Sequence, residues 1–237
     1  MRFPIPLRHA VVRLVQPLAL PIRAGPLKGL RWSVATGSRF LLGSYEPPKA
    51  EALAELVREG DVVCDIGAHM GYFTAIAALG AGPTGRVHAF EPRPLNYELL
   101  LRHVRLNRLD NVRPVRAAVG EASGSGRFES RVGTGTGHLS PDGDLPVRVV
   151  ALDDLHRSGE LPRVDVLKVD VEGGELGVLR GAATILERQR PRLVLATHGP
   201  THEPCLQLLA ELGYRYRILA STGHSGETEI VASWPGP

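Results

Sequence analysis

Short apolar strands alternate with helices along most of the 237 residues, and this alternation is the feature that most constrains the fold. The predicted strands are residues 61–66, 86–90, 112–119, 147–151, 164–169 and 192–197. The predicted helices are residues 49–58, 71–79, 94–107, 174–187 and 202–212. Parallel strands need crossover helices, which cover both faces of their sheet. The last two segments, 214–220 and 227–233, are typical of an antiparallel pair, so we expect an α/β fold whose mostly parallel sheet ends in an antiparallel strand.

Two parts of the chain precede or interrupt this alternation. Residues 1–48 are predicted to be an N-terminal extension, in which LRWSVAT and SRFLLGS form two short strands around Gly37-Ser38. Its start resembles a basic amphipathic helix that touches a membrane or a partner subunit, although we expect it to pack on its own domain. Residues 49–237 form the main domain, and a Gly-rich insertion at 121–146 is predicted to carry short strands and a mobile loop over one end of the sheet.

Composition limits the partners of the protein. The net charge of +3 rests on 25 Arg and 3 Lys that are interleaved with acidic residues, which argues against nucleic acid. No 18-residue apolar run occurs, and prolines, Arg13 and Gln16 interrupt the N-terminal segment, so we expect neither a transmembrane helix nor secretion. Two cysteines cannot build a disulfide framework and suit a reducing cytoplasm. A homodimer formed through the N-terminal arm stays open.

The segment DIGAHMG, which follows the strand at 61–66, predicts a ligand site. Gly67 lets the backbone approach a ligand closely, and Gly71 permits tight packing at the start of the next helix. Because these glycines are four residues apart, the G-x-G-x-x-G pattern of a dinucleotide site is missing. Asp65 would repel a pyrophosphate, whereas it suits the ammonium group of S-adenosylmethionine, which carries no phosphate. The segment therefore favours S-adenosylmethionine over NAD.

Glu91 ends the next predicted strand, 24 residues beyond Gly67. A carboxylate at this position can accept hydrogen bonds from both hydroxyls of a ribose. NAD and S-adenosylmethionine share that ribose, so Glu91 indicates a nucleoside in general. The alternative is a structural role, in which Glu91 caps the helix at 94–107.

The segment LKVDVEGGE at 167–175 places three carboxylates and a lysine in one turn after an apolar strand. Like charges this close are costly unless a cation or a ligand meets them. Asp170 and Glu172 are therefore candidates to face a metal ion, the sulfonium or ammonium group of a ligand, or the proton of an acceptor.

These segments resemble a known family when they are taken together. In chain order they are DVVCDIGAHMGYFT at 61–74, AFEP at 89–92, NRLDNV at 107–112, AAVG at 117–120, LDDL at 152–155 and LKVDVEGGE at 167–175. The set resembles the FkbM family of S-adenosylmethionine-dependent methyltransferases over roughly residues 40–200. This resemblance implies a Rossmann-like class I methyltransferase fold with a seven-stranded sheet. It also implies O-methylation of a hydroxyl on a sugar or secondary metabolite.

The resemblance assigns residues to the cofactor S-adenosylmethionine and to its product S-adenosylhomocysteine. Its methionine side corresponds to Asp65, Gly67 and Gly71, its ribose to Glu91 and its adenine to Ala118. Further cofactor-binding candidates are Ala68, His69, Pro92 and Asp170. Tyr45 and Glu46 match a Y-E-P element that is expected to close over the cofactor. The chain departs from the family at His69, where Asn is common, and at Ala196-Thr197-His198, where many relatives have a glutamate before the histidine.

A hydroxyl acceptor needs a base near its proton. His198, just after a predicted strand, is the first candidate, Asp170 and Glu172 are the second, and His138 is a third candidate on a lid formed by the insertion. Assistance by Mg²⁺ is not expected, because no Asp-Asp or Asp-Asn pair follows the strand at 192–197. N-methylation, carboxyl methylation and a non-catalytic role in binding S-adenosylmethionine are the alternatives.

Overall fold

A seven-stranded sheet organises the computed structural model, which describes residues 15, 17–131, 133, 135–222 and 226–236. The strands are β1 Ala19–Pro21, β2 Arg31–Ser33, β3 Val62–Ile66, β4 Arg86–Phe90, β5 Val112–Val115, β6 Ala118–Val119, β7 Gly124–Glu129, β8 His138–Leu139, β9 Leu145–Val150, β10 Val166–Val169, β11 Arg192–His198, β12 Arg215–Thr222 and β13 Glu227–Ser233. The order in the main sheet is β12-β13-β11-β10-β3-β4-β5, and β13 runs in the opposite direction to the other six strands. The predicted α/β fold with an antiparallel C-terminal strand is confirmed.

Helices cover both faces of this sheet. They are α1 Ser38–Leu42, α2 Pro47–Leu56, α3 Tyr72–Ala81, α4 Pro94–Leu106, α5 Leu152–Arg157, α6 Glu175–Arg180, α7 Ala183–Arg188 and α8 His202–Glu211. Successive residues of a strand point to opposite faces. Val63 accordingly packs in the apolar core under α2, α3 and α4, whereas Cys64 packs in the core under α5 to α8. Both faces of the sheet are therefore buried. A ligand site is expected at the carboxyl ends of its strands, which the helices do not cover.

Three predicted elements differ from the structure. SRFLLGS forms the helix α1 and not a strand, because Gly43 ends it in the left-handed region at φ 74° and Phe40 packs into the core. The strand predicted at 112–119 is divided between β5 and β6, which belong to different sheets. The helix predicted at 174–187 breaks at Gly181, where a side chain would lie 2.1 Å from the backbone oxygen of Gly120.

The Gly-rich insertion forms a second sheet with the order β6-β9-β7-β8. Its glycines allow this because Gly137 and Gly143 lie so close to Phe128 that a Cβ atom at either would stand 2.5 Å from it. Phe128 and Leu139 are paired across β7 and β8. The insertion thus brings apolar side chains to the end of the main sheet, as an ordered sheet over most of its described length.

The described part of the N-terminal extension packs on α4. Trp32 is fully buried and stacks on His103 with ring centroids 3.7 Å apart. The amide of Asn107 accepts a hydrogen bond from the backbone N–H of Arg31 and donates one to its carbonyl. The expected amphipathic helix at the start of the chain lies outside the described residues. None of the described helices has the length and hydropathy needed to cross a membrane.

Candidate functional site

Two contiguous pockets open at the carboxyl ends of β10, β3 and β4. We call the first the apolar pocket; its main lining residues are Phe90, Glu91, Asn96, Ala118, Phe128, Leu139 and Val171. We call the second the acidic pocket; its main lining residues are Phe40, Tyr45, Glu46, Tyr72, Asp170, Glu172 and Glu227. The two share Gly67, His69, Gly135, Asp170 and Glu172. Parallel sheets usually bind ligands at this edge, where neighbouring strand ends diverge.

The turn after β3 forms the floor between the two pockets. Gly67 has φ 76°, and a Cβ atom there would lie 1.8 Å from the backbone oxygen of Asp170, so only glycine fits. His69 also has a positive φ, 51°, a region in which Asn, Asp and His are enriched. The replacement of Asn by His at this position is therefore compatible with the backbone. Gly71 then lets α3 start against Leu100.

Glu91 is a buried carboxylate that lines the apolar pocket, and none of the described residues forms an ion pair with it. Its Oε2 accepts a hydrogen bond from the backbone N–H of His69 at 2.9 Å, and its Oε1 accepts one from that of Arg93 at 2.9 Å. Burial raises the pKa of Glu91 to about 7, although these backbone hydrogen bonds oppose the rise. The carboxylate is held in place, and it keeps lone pairs for a ligand.

Asp65 does not face either pocket, contrary to the role expected for it beside an ammonium group. It is fully buried; its Oδ2 accepts a hydrogen bond from the Thr74 hydroxyl at 2.6 Å, and its Oδ1 lies 3.1 Å from Nζ of Lys168. Lys168 also donates to the carbonyl of Gly67 at 2.9 Å. Asp65 therefore supports the site indirectly, because it holds Lys168, which in turn holds the carbonyl of Gly67.

Other predicted cofactor residues do lie at the pockets. Pro92 and Ala118 line the apolar pocket, Ala68 lines the acidic pocket, and Gly71 lies behind it at the start of α3. Tyr45 stacks on Phe40 at 4.1 Å on the wall of the acidic pocket. Burial, together with the neighbouring Glu46, raises the pKa of the Tyr45 hydroxyl, which stays protonated.

Lys49 is the centre of the charged cluster under the acidic pocket, and its role could not be seen in the sequence. It is 1% exposed, and its Nζ lies 2.7 Å from Glu46, 2.8 Å from Asp170 and 2.9 Å from Glu229. The contact with Asp170 is a hydrogen bond, whereas the contact with Oε2 of Glu46 is an ion pair without hydrogen-bond geometry. Burial favours the neutral amine, but these carboxylates outweigh it and hold the pKa of Lys49 well above its usual value.

Asp170 lies between the two pockets, where β10 ends. Burial alone would raise the pKa of its carboxyl, but Lys49 and Lys168 outweigh burial and hold that pKa well below the usual range. Asp170 is therefore ionised at every physiological pH.

His198, the first candidate for the base, is oriented by Glu175. The imidazole Nδ1–H donates to Oε1 of the fully buried Glu175 at 2.8 Å, and Glu175 also accepts hydrogen bonds from Thr201 at 2.6 Å and from the N–H of Gly173 at 2.8 Å. These three donors hold the pKa of Glu175 below its usual value, although burial opposes them. The second nitrogen, Nε2, is left to face Glu172 at 3.5 Å and Asp170 at 4.0 Å.

The charge state of His198 decides its chemistry. Burial would lower its pKa, but the hydrogen bond to Glu175 and the charges of Glu172 and Asp170 raise it to about 9. At neutral pH the ring is thus an imidazolium, which cannot accept a proton. Burial raises the pKa of Glu172 to about 6, partly offset by His198, so Glu172 is an ionised carboxylate beside the ring. The two side chains titrate as one coupled unit.

His138 is not brought to the site, which corrects its expected role on a lid. It lies in the short strand β8, where the next residue, Leu139, lines the apolar pocket. Because neighbouring residues of a strand point to opposite sides, His138 faces away, and its Nδ1 lies 3.4 Å from the carbonyl of Thr136. Gly135 of the same insertion does line both pockets.

One group of side chains has the spacing of a metal site. The ligand atoms of Asp170, Glu172 and His198 lie within 4.8 Å of one another. The ammonium group of Lys49, 2.8 Å from Oδ2 of Asp170, competes with any cation placed there. The sequence pattern did not predict a metal, and that prediction stays untested.

Several functional candidates were missed, either because their segments carry no motif or because nothing local showed their partner. Lys49 lies on the same face of α2 as the fully buried Leu53, four residues on, and a lysine on the apolar side of a helix is a signal of a buried ion pair. Glu175 was part of the LKVDVEGGE segment, but nothing local linked it to His198. Glu227 and Glu229 reach the site from the terminal strand β13.

Comparison with known proteins identifies the family. The profile of the Methyltransferase FkbM domain matches residues 65–216. The hexuronic acid methyltransferase AglP of Haloferax volcanii is 32% identical over 161 residues, which are 67% of this chain and 65% of that protein. The chain therefore spans less than two thirds of the length of that relative.

Solved structures agree on the fold. The FkbM methyltransferase of Methylobacillus flagellatus has a TM-score of 0.55 at 18% identity and covers 77% of this chain and 50% of its own. An S-adenosylmethionine-dependent O-methyltransferase of Thermotoga maritima has a TM-score of 0.55 at 17% identity and covers 81% of this chain and 66% of its own. At these identities the likeness shows the class I methyltransferase fold alone. With the family profile over most of the sheet, the conclusion is that the chain belongs to the FkbM methyltransferase family.

Proposed function

We propose that this chain transfers a methyl group from S-adenosylmethionine to a hydroxyl group of a sugar or a related small molecule. The family and the hexuronic acid methyltransferase AglP, its relative, support this proposal. The observation that carries it is the junction of the two pockets at Gly67. Through this junction a nucleoside bound at Glu91 points its reactive end toward Asp170, Glu172 and His198.

The chemistry of the apolar pocket fits S-adenosylmethionine better than a phosphorylated cofactor. Its described lining contains no Lys or Arg to neutralise a phosphate. The proposed contacts are the ribose hydroxyls on Glu91, the adenine among Ala118, Phe128 and Leu139, and the methionine end near Gly67 and His69. A carboxylate that accepts from both hydroxyls at once is a strong, charge-assisted contact.

When bound, S-adenosylmethionine supplies a methyl group whose bond electrons stay on sulfur while the acceptor oxygen forms the new bond to carbon. We assign acceptance of the hydroxyl proton to the coupled Glu172 and His198 pair, since His198 alone is protonated at neutral pH. Glu175 is a positioning residue, because it holds Nδ1 of His198 and leaves Nε2 toward the acceptor. Asp170 stays ionised, and we assign it to face the positively charged sulfonium group of S-adenosylmethionine.

Calorimetry with S-adenosylmethionine and with NAD tests the cofactor, and release of S-adenosylhomocysteine with a panel of sugars tests the reaction. We expect saturable binding of S-adenosylmethionine only, and release that depends on a hydroxyl-bearing acceptor. Absence of binding would refute the proposal. Binding without transfer to any acceptor would support the non-catalytic alternative, and product methylated on nitrogen or on a carboxyl group would support the other two.

The remaining expectations stand as proposals with simple measurements. We propose that residues 1–48 are an extension of a single methyltransferase domain at 49–237, that the protein acts in the cytoplasm without nucleic acid, and that it can form a homodimer. Limited proteolysis, cell fractionation, electrophoretic shift assays and light scattering, respectively, check these four statements.

A further inference from the structure

Carboxylates are the more exposed charged groups of the acidic pocket, whereas the ammonium-bearing side chains of Lys49 and Lys168 are buried. The side chains of Glu46, Asp170, Glu172 and Glu227 are 18–28% exposed, whereas that of Lys49 is 1% exposed. A molecule that enters the pocket therefore meets negative charge first.

The cations of the cluster cannot balance this charge. Among the described residues, seven carboxylates share three cations; the carboxylates are Glu46, Asp65, Asp170, Glu172, Glu175, Glu227 and Glu229, and the cations are Lys49, Lys168 and His198. Even with His198 protonated, four negative charges remain in surplus. S-adenosylmethionine, with a sulfonium, an ammonium and a carboxylate, brings one net positive charge, so most of the surplus is still present when the acceptor arrives.

The opposite wall of the same pocket is aromatic. Phe40, Tyr45, Tyr72 and Phe73 form a box in which neighbouring ring centroids lie 4.1–6.0 Å apart. The Tyr72 hydroxyl is buried at 3% exposure of the residue and has no hydrogen-bond partner among the described residues. Aromatic faces attract cations, and two of these rings already have protein cations near them: Lys49 and Lys168 lie 5.3 Å from the centre of the Phe73 ring, and Arg39 lies 5.8 Å from that of Tyr45. A ligand ammonium can approach the rings of Phe40 and Tyr72, and the phenol oxygen of Tyr72 can accept a hydrogen bond from an ammonium or a hydroxyl group. The wall and the carboxylates thus favour the same kind of ligand.

We infer that the acceptor carries a positive charge, an ammonium group close to the hydroxyl that is methylated, as in an amino sugar, and that the site rejects a uronate. This inference rests on the proposed function and differs from the acceptor in the name of AglP. A divalent cation at Asp170, Glu172 and His198 is the rival source of positive charge. The ammonium group of Lys49 already occupies Oδ2 of Asp170 and repels such an ion.

The test compares methyl glycosides of glucosamine, glucose and glucuronic acid with the full chain. Transfer is measured as release of S-adenosylhomocysteine, and binding to the protein saturated with S-adenosylhomocysteine is measured by saturation-transfer NMR. We expect the rate of transfer to the amino sugar to exceed the rate of transfer to the uronate by at least about tenfold. The interaction of two unit charges near a protein surface is larger than the free energy that corresponds to a tenfold difference. Glu227→Gln should reduce the ratio of the transfer rates for the amino sugar and for glucose. Glu121→Gln, at an exposed site, is the control and should leave this ratio unchanged.

Equal response to the three glycosides, or preference for the uronate, would overturn the inference while leaving the proposed function intact. Failure to bind S-adenosylmethionine would instead remove the proposed function. A Mn²⁺ titration followed by electron paramagnetic resonance tests the alternative, a divalent cation bound at Asp170, Glu172 and His198. One tightly bound ion that is lost in Asp170→Asn would also overturn the inference, because the metal would then balance the carboxylates.

Discussion

The two pockets share a floor, but their charged side chains are held in place by different physical means. In the apolar pocket a single carboxylate, Glu91, is held by backbone N–H groups among apolar side chains. In the acidic pocket, carboxylates and cations from five segments of the chain hold one another, and little of the contact is to backbone. Backbone donors keep their positions when side chains change, so the first arrangement suits an invariant ligand, while the second can be retuned for different acceptors.

This difference predicts that a substitution in the charged cluster of the acidic pocket lowers the free energy of unfolding more than a substitution in the apolar pocket does. Lys49→Met should destabilise the protein by about 3–5 kcal/mol at pH 7, because it leaves Glu46, Asp170 and Glu229 without their buried cation. Denaturant unfolding measures the loss. Lys28→Met removes an exposed lysine and is the matched control, which should unfold as the parent does. A loss below about 1 kcal/mol would mean that the cluster is hydrated and not a buried ion-pair network.

The next effect separates chemistry from cofactor binding. His198→Ala should lower kcat by about 10²-fold or more and leave the affinity for S-adenosylmethionine within twofold, since the ring acts on the acceptor proton. His138→Ala is the control, because His138 faces away from both pockets and its loss should not change kcat. Near-normal turnover in His198→Ala would assign the proton to Glu172 or to solvent.

Glu91→Ala should have the opposite signature. Loss of a charge-assisted contact to the ribose should weaken binding of S-adenosylmethionine by about 1.5–3 kcal/mol while kcat at saturation changes little. The pKa of Glu91, raised to about 7, adds a pH dependence: below pH 7 the protonated carboxyl loses acceptor capacity, so affinity should fall by up to about tenfold per pH unit. Calorimetry from pH 5.5 to 8.5 measures both effects. A parent affinity as flat with pH as that of Glu91→Gln would exclude this role.

The smallest expected effect is a shift in a pH profile. In the parent, kcat should rise as pH approaches 9, because at neutral pH only the Glu172 carboxylate of the pair can accept the proton, whereas near pH 9 the neutral imidazole of His198 can accept it as well. Glu175→Gln removes the carboxylate at Nδ1, so the rise should move to lower pH by at least about one unit. An unshifted profile, with kcat merely scaled down, would make Glu175 a packing residue only.

The apolar pocket was easier to predict from the sequence than the acidic one. Gly67 and Glu91 each follow a strand directly, and strand ends in a parallel sheet meet at one edge, so local pattern and topology located them. Lys49 and Asp170 are 121 residues apart, and their contact depends on side-chain packing that no local pattern encodes. The same limit explains Asp65, whose place near the end of the strand was predicted correctly but whose side chain contacts Lys168 and not a pocket.

Short segments were the other source of error. SRFLLGS has too few residues for periodicity to separate helix from strand, and the burial of Phe40 decided the outcome. The short strands predicted within 121–146 are present, and Gly137 and Gly143 permit close packing around Phe128; the mobility of the loop stays a prediction.

The contacts of Lys49 have a consequence for the order in which the protein is made. The apolar pocket is built from residues 66–174, so all of its lining is synthesised before Glu229. The lysine, by contrast, joins the Glu46 turn to Glu229 on the final completed strand. A chain that is shortened before Glu229 therefore contains every lining residue of the apolar pocket but lacks one of the carboxylates that hold Lys49 under the acidic pocket.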